Sequence, residues 1–127
     1  MALVHTLKKT EKEVVLKCYR NDSNGGVIQI EMDSPEVMLD NETYVEGVST
    51  LTIREIFWGA KKDKQIDISR VNDPVANTVH GHYYLINSGS YNFDGFVDDT
   101  YSNGAIRITT DGPCHVLLKL GKDGYES

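Results

Sequence analysis

Apolar and polar residues alternate along several short segments of the chain, and a period of two predicts β-strands. In Glu13–Arg20 the apolar side chains Val14, Leu16 and Cys18 share one face. Segment 27–32 repeats the pattern after a turn rich in Asn and Gly. Further strands are predicted at 43–48, 80–86, 105–110 and 114–120, and the aromatic residues of 91–96 alternate loosely with polar ones. We therefore expect a first hairpin within 13–32 and a last hairpin within 105–120.

Segment 50–71 is interpreted as the central β-hairpin of the chain. Leu51 and Ile53 alternate with polar residues, but Ile56 and Trp58 continue the apolar face one position out of phase. A one-residue slip of this kind is typical of a β-bulge. A glycine and a lysine-rich polar connection follow before the alternation resumes. This arrangement predicts two strands that pair with each other.

The patterns together predict about eight or nine short strands, with turn signals every ~8–12 residues. No segment has the 3.6-residue period of an amphipathic helix. The chain is therefore predicted to be all-β, an antiparallel β-sandwich of jelly-roll-like form, with a small barrel as the alternative. Residues 1–12, which carry Leu3, Val4 and Leu7 among lysines, are interpreted as an N-terminal arm before a sandwich domain at 13–127. A short first strand is the alternative for this segment.

Composition limits the classes of function. The chain has 127 residues, of which 39% are hydrophobic and 25% charged, values typical of one globular domain. No apolar run approaches the roughly 20 residues that span a bilayer, and the N-terminus lacks the apolar core of a signal peptide. We therefore expect synthesis in a cytoplasm and no membrane partner. The net charge of −6 argues against a nucleic-acid partner, because phosphate binding depends largely on Lys and Arg.

Few residues in the sequence suggest chemistry, and no catalytic residue or cofactor is assigned. His80 and His82 lie two apart on a predicted strand, so they share a face and could supply two metal ligands. A third ligand would come from His5, His115 or a carboxylate, and ordinary half-buried histidines are the alternative. A second candidate, a calcium loop formed by Asp94, Asp98 and Asp99, does not match the EF-hand order.

Cys18 and Cys114 lie far apart in sequence, each in a strand pattern. We interpret them as small buried hydrophobic side chains, since no secretion signal indicates an oxidising compartment. A disulfide between them would require that their strands be neighbours.

Aromatic residues are concentrated between positions 83 and 96. They are Tyr83, Tyr84, Tyr91, Phe93 and Phe96. Such a cluster is typical of a sugar-stacking platform, of core packing or of a protein–protein contact surface, and the sequence leaves all three open. Tyr83, Tyr91 and Phe96 are our candidates for interaction at the surface.

Five short motifs follow one another in the second half of the chain. They are TIREIFW at 52–58, IDISR at 66–70, NSGSYNFDG at 87–95, IRITT at 106–110 and VLLKL at 116–120, with Gly124 and Tyr125 at the end. In this order the motifs resemble small virion structural proteins of tailed bacteriophages, especially marine and cyanobacterial ones. Tyr91 stands where that pattern has Trp, and Asn87 where it has Gly.

The resemblance implies a non-enzymatic β-sandwich present in many copies on a virion. The expected role is a capsid decoration or cement protein that forms homo-oligomers and contacts the major capsid protein or other virion proteins. Leu3, Val4 and Leu7 are the candidate anchors of the arm. A neck, head–tail connector or tail component is the alternative within this class. A carbohydrate- or receptor-binding module and a metal-dependent enzyme are the alternatives outside it.

Overall fold

The computed structural model describes residues 2–73, 78–93 and 102–127. This part of the chain forms nine β-strands and contains no helix, and hence no helix that could span a membrane. The strands are β1 (Ala2–Lys9), β2 (Glu13–Arg20), β3 (Gly26–Ile30), β4 (Thr50–Ala60), β5 (Gln65–Asp73), β6 (Thr78–Ile86), β7 (Ser88–Asn92), β8 (Ala105–Thr110) and β9 (Cys114–Asp123).

The strands form two antiparallel sheets that pack into a sandwich. Sheet 1 has the order β1-β2-β9-β4-β7, and sheet 2 has the order β3-β8-β5-β6. The core between them is built from the alternate positions of each strand, such as Leu16 in β2, Ile56 in β4 and Ile108 in β8, all fully buried. The all-β sandwich predicted from the alternating pattern is therefore confirmed.

The strand pairing describes one long hairpin that has rolled up on itself. Strand β2 pairs with β9, β3 with β8, β4 with β7 and β5 with β6. Further ladders from β4 to β9 and from β5 to β8 join the turns of the roll. This is the order of a jelly roll, the double-sheet architecture of many viral capsid and lectin domains.

The three predicted hairpins are wrong. Strands β4 and β5, from the supposed central hairpin, lie in opposite sheets, as do β2 and β3, and β8 and β9. A turn that crosses to the facing sheet has the same Gly, Asn and Pro signals as a turn that folds back within one sheet. Local sequence therefore identifies the turn but does not determine the partner of the strand.

Two local predictions for the middle of the chain have opposite outcomes. The β-bulge in β4 is confirmed, because the register with β9 shifts between Ile53 and Glu55. The strand predicted at 43–48 is wrong: this segment forms turns and makes an isolated bridge from Thr43 to Glu126. Its tyrosine, Tyr44, contacts the ring of Tyr125 instead of extending a sheet.

The separate N-terminal arm is not confirmed. Ala2–Lys9 is β1, an edge strand of sheet 1 that pairs with β2 from Ala2 opposite Arg20 to Lys9 opposite Val14. The alternative of a short first strand agrees with the structure. The lysines that made this segment resemble a solvated arm are also typical of edge strands, where they discourage unwanted pairing.

The long connection between β3 and β4 is held against the sandwich by a buried lysine. Lys122 Nζ donates hydrogen bonds to the carbonyl oxygens of Thr10 (3.0 Å) and Val37 (2.9 Å) and to the carboxylate of Glu42. Its side chain is completely buried, and that of Glu42 nearly so. The connection therefore has a fixed position although it lacks regular secondary structure.

Candidate interaction site

The outer edge of sheet 1 is β1, which carries the residues predicted as anchors. Leu3 is 39% exposed and Leu7 is 53% exposed, whereas Val4 is half-buried and packs against the core. Among the described residues, no backbone hydrogen bond joins β1 to any segment other than β2. Because an edge strand directs alternate N–H and C=O groups away from its sheet, β1 can accept a further strand.

Only the first half of this edge is regular. Residues 2–6 pair in continuous register, and the register then shifts between Thr6 and Lys8. On the inner side, Thr6 Oγ1 donates to the Glu36 carbonyl (2.9 Å) and Lys9 Nζ to the Pro35 carbonyl (2.8 Å). Bulges and lysines restrict strand addition, so residues 2–6 form the part of the edge best suited to a partner.

The outward positions of sheet 1 form three rows across its five strands, followed by a shorter row of Glu13, Gly121 and Thr52 and then by Asp123. We call this surface the outer face. The upper row is Leu3, Tyr19, His115, Gly59 and Ser88; the middle row is His5, Lys17, Leu117, Phe57 and Ser90; the lower row is Lys8, Val15, Lys119, Glu55 and Asn92. Phe57 is 42% exposed, and Leu117 beside it is half-buried. The outer face therefore has an apolar centre whose side chains point away from the core between the sheets.

Two glycines of sheet 1 leave room for neighbouring side chains to lie over the strand backbone. A Cβ atom on Gly59 would lie 2.3 Å from Cε1 of His115, and one on Gly121 would lie 2.7 Å from Nε of Arg54. Both distances are too short for real atoms. The imidazole and the guanidinium therefore lie directly over the backbone of the neighbouring strand, which a side chain at either glycine would prevent.

Charges on the outer face are centred on Glu13. Its carboxylate is 2.9 Å from Lys8 Nζ, 3.8 Å from Lys119 Nζ and 3.9 Å from Arg54 Nη1. The hydrogen bond from Lys8 lowers the pKa of Glu13 most, against a smaller opposing effect of burial. With Glu55, which lies opposite Lys119, three cations face two carboxylates in this part of a net-negative molecule.

A groove of about 410 Å³ continues the outer face at its upper end, and we call it the cationic groove. It is lined by Tyr19, Arg20, Asn21, Gly59, Ala60, Lys61, Pro113, Cys114 and His115. None of these described residues carries a carboxylate. By contrast, a cleft of about 400 Å³ beside β3 has Glu31, Asp33 and Glu46 in its lining.

Four aromatic side chains form a second cluster between β6 and β7, at the opposite edge of the sandwich. Tyr91, 45% exposed, is central, with its ring centroid 5.3 Å from Trp58, 6.0 Å from Tyr83 and 6.4 Å from Phe93. Trp58 Nε1 donates to the carbonyl oxygen of Ile86 at 3.0 Å. The structure thus brings the predicted Tyr83 and Tyr91 together, while Phe96 lies outside the described residues.

Most residues of the two predicted metal sites lie outside the part of the chain that the structure describes. The side chains of His80 and His82 lie outside the described set, as do Asp94, Asp98 and Asp99. No group of three His, Cys, Asp or Glu residues within the described part could hold a metal ion. His5 and His115 share the outer face but occupy different rows on strands that are not neighbours.

The two cysteines are buried, as predicted, and unpaired. Strands β2 and β9 are neighbours, and Cys18 lies opposite Val116, two positions from Cys114. Burial raises the pKa of Cys18 to about 12 and that of Cys114 above its usual range. Both side chains therefore behave as apolar groups rather than nucleophiles.

Comparisons with protein-family models, with curated proteins and with solved structures found no match. The class of the protein therefore comes from its own geometry, which is that of a jelly-roll β-sandwich. Sequence reasoning did not single out Tyr19, Phe57, Leu117 or the cationic groove. In the sequence these three apolar residues stand at positions of their strands where the alternation predicts polar, outward-facing residues. That they form one surface becomes visible only when β2, β9 and β4 are known to be neighbours.

Proposed function

We propose that this protein is a non-enzymatic structural component of a bacteriophage virion, and that it acts as a capsid decoration protein. The observation that carries the proposal is the regular half of β1, an open strand edge flanked by the exposed side chains of Leu3 and Leu7. A further strand from the major capsid protein, another virion protein or a second copy would extend sheet 1 there. Main-chain hydrogen bonds would supply affinity, and the two leucines would supply anchors.

One backbone feature supports the resemblance to phage virion proteins. Asn87 stands where the related pattern has Gly, and it adopts a φ of 58°. Left-handed backbone of this kind favours Gly, and Asn is among the residues that best tolerate it. The Asn87 carbonyl also accepts a hydrogen bond from the N–H of Ala60 at 2.7 Å. The substitution therefore preserves the turn that the motif requires.

The jelly roll and the charge of the molecule also support this role. Jelly rolls build many capsid proteins and pack without staples at this size. The net charge of −6 suits a position outside a DNA-filled shell better than contact with the packed genome. A place at the neck, head–tail connector or tail would use the same edge and stays the alternative location.

The test is co-sedimentation with particles that lack this protein, prepared from the phage that encodes it. Wild-type protein should sediment with the particles, and the variant Leu3→Glu/Leu7→Glu should stay in the supernatant because charged side chains oppose docking at the edge. The matched control is Val27→Glu/Ile86→Glu, which places the same two charges at positions on sheet 2 that are 51% and 62% exposed.

If the variant Leu3→Glu/Leu7→Glu still sediments with the particles, β1 is not the binding edge. Failure of the wild-type protein to bind any particle would remove the virion assignment. Separated head and tail fractions would distinguish a decoration protein from a neck or tail component.

The aromatic cluster favours a second candidate function, binding of carbohydrate or of a receptor glycan. Partly exposed rings at an open edge offer faces on which sugar rings stack, and Trp58 is within 5.3 Å of Tyr91. Oligosaccharides should then change the fluorescence of Trp58, and Tyr91→Ala should abolish the change. The control is Tyr84→Ala, since Tyr84 is 65% exposed on sheet 2. Unchanged fluorescence across a glycan panel would exclude this candidate.

A further inference from the structure

We propose that the outer face, together with the cationic groove, docks an acidic segment of a partner protein that also presents an apolar side chain. The inference rests on the proposed function for the assembly in which this happens, and it adds the chemistry of the partner. It concerns a different surface from the strand edge, although Leu3 belongs to both.

The apolar half of the recognition lies at the centre of the outer face. Phe57 and Leu117 are adjacent across β4 and β9, and Val15 and Tyr19 lie in the rows beside them. The His115 ring and the Arg54 guanidinium lie over Gly59 and Gly121 near this centre. An apolar side chain from the partner placed here would remove several half-exposed hydrophobic groups from water, which is the usual source of affinity in an interface core.

The charged half of the recognition surrounds this centre. Lys17 lies next to Leu117, Lys119 lies in the row below, and Lys61 lines the groove above. Arg20 also lines the groove, where its guanidinium is paired with the carboxylate of Asp22 at 3.1 Å. Lys17 also extends over Tyr19, with Nζ 5.9 Å from the ring centroid. Lysines around an apolar centre give the arrangement of a polar rim around an interface core, and a carboxylate-rich segment is its complement.

The rest of the molecule favours an acidic partner over a second copy of this chain. Face-to-face docking of two copies would gather the Lys17 side chains of both copies around one apolar centre, since Lys17 lies directly beside Leu117. The cleft beside β3, by contrast, is lined by Glu31, Asp33 and Glu46. An acidic partner is therefore repelled from that cleft and guided to this surface by the same field.

A protein segment fits the outer face better than nucleic acid does. Glu13, Glu55 and Asp123 share the face with its cations, and each would oppose a continuous line of phosphates. The exposed apolar centre would gain nothing from contact with a phosphate backbone. Separate carboxylates can be placed between the acidic side chains, whereas evenly spaced phosphates cannot.

The test uses the full chain and three probes, followed by backbone NMR. The probes are a short glutamate-rich peptide with one central Phe, the same peptide with Lys in place of Glu, and duplex DNA. The acidic peptide should shift amide signals of β2, β9 and β4 near Tyr19, Leu117 and Phe57. The double variant Lys17→Glu/Lys61→Glu should weaken its binding about tenfold or more, because two attractive charges become repulsive.

The matched control is Lys12→Glu, which makes the same charge change as either single variant, Lys17→Glu or Lys61→Glu, at an exposed position in the β1–β2 turn. It should keep wild-type affinity, whereas each of the two single variants should weaken binding. Gly59→Ala should also weaken binding, since the new Cβ would displace the His115 ring. Equal binding of the basic peptide, or tighter binding of DNA at this face, would overturn the partner class. Absence of any shift on the outer face would overturn the site.

The same variants separate this inference from the virion proposal. If the wild-type protein and Lys17→Glu/Lys61→Glu both sediment with particles, the virion role stands and the docking face is wrong. If no particle binds the wild-type protein while the acidic peptide still shifts the outer face, the docking face stands and the virion role is wrong.

Discussion

At the scale of single residues, the most consequential side chain is Lys122. It is a fully buried cation that reaches two carbonyl oxygens and the carboxylate of Glu42, and its Nζ lies 5.1 Å from the ring centroid of Tyr125. A buried charge is tolerated when it is paired and hydrogen-bonded. This one residue therefore joins β9 to the β1–β2 turn and to the connection between β3 and β4.

Lys122→Met should lower the free energy of unfolding by about 3–5 kcal/mol, because Glu42 would keep a buried charge without its partner. The double variant Lys122→Met/Glu42→Leu should recover part of the loss. Urea unfolding followed by Trp58 fluorescence measures both. Lys119→Met is the control: its pair with Glu13 is partly exposed and should contribute less than about 1 kcal/mol. Equal losses at positions 119 and 122 would contradict this role.

The same pair makes stability depend on pH. Burial alone would raise the pKa of Glu42, but the hydrogen bond and charge of Lys122 and the N–H of Leu39 together hold this pKa below its ordinary value of 4.5. The folded state therefore binds the proton less readily than the unfolded chain does. The resulting stabilisation is complete above pH 4.5 and is lost as the pH falls through the folded-state pKa.

Urea unfolding at a series of pH values should show this loss as a decreasing midpoint below pH 4.5. Glu42→Gln should reduce the slope, since the titrating group is gone. Identical slopes for the wild-type protein and the variant would assign the acid sensitivity to other carboxylates, such as Glu13, whose pKa is also lowered.

At the scale of elements, residues 2–9 are interpreted from sequence as an arm, with a first strand as the alternative. As an arm this segment would contribute nothing to stability, whereas as an edge strand it covers β2 and places Val4 against the core. Its seven register pairs with β2 indicate the second case. The first strand is thus part of the sandwich and also one of its two edges in sheet 1.

Removing residues 2–9 should therefore lower the free energy of unfolding by about 2 kcal/mol or more, because the packing of Val4 and a complete ladder are lost. Chemical denaturation of the truncated chain measures the loss. The double substitution Leu3→Ser/Leu7→Ser, which removes two exposed side chains but keeps the strand, is the control. An unchanged midpoint after truncation would restore the arm interpretation.

The sequence predicted most strands and one bulge but not how the strands pair. Alternation at Val14, Leu16 and Cys18 is a local property, and so is the phase slip before Ile56. Which strands pair depends on the total apolar surface that both sheets bury, and residues from distant segments contribute to it. The three hairpins predicted from local sequence are therefore wrong. The interaction site shows the same limit: Leu3 and Leu7 stand out in the sequence, whereas Phe57 and Leu117 become neighbours only through the β4–β9 ladder.

At the scale of the whole molecule, the rolled hairpin makes most ladders non-local. The β2–β9 ladder pairs Glu13 with Gly121, and the β3–β8 ladder pairs Gly26 with Thr110. Each such ladder requires closure of a long loop before its contacts stabilise the chain. The topology therefore requires much of the fold to form together.

Refolding should accordingly take milliseconds to seconds, as in other β-sandwiches, and not microseconds. Stopped-flow fluorescence of Trp58 is a suitable measurement, since it is the single tryptophan of the chain and packs against Tyr91. A complete fluorescence change within the dead time of mixing would contradict this expectation.

The rolled hairpin also makes the two halves of the chain dependent on each other. If the chain is cut in the turn at 61–64, the first piece keeps the β1–β2 ladder and the second keeps β5–β6 and β5–β8, but the remaining four ladders all join one piece to the other. Neither piece can then assemble a sandwich alone, and the pieces should recover it when mixed. Fused to two proteins that meet in a cell, such fragments would report their encounter by regaining structure.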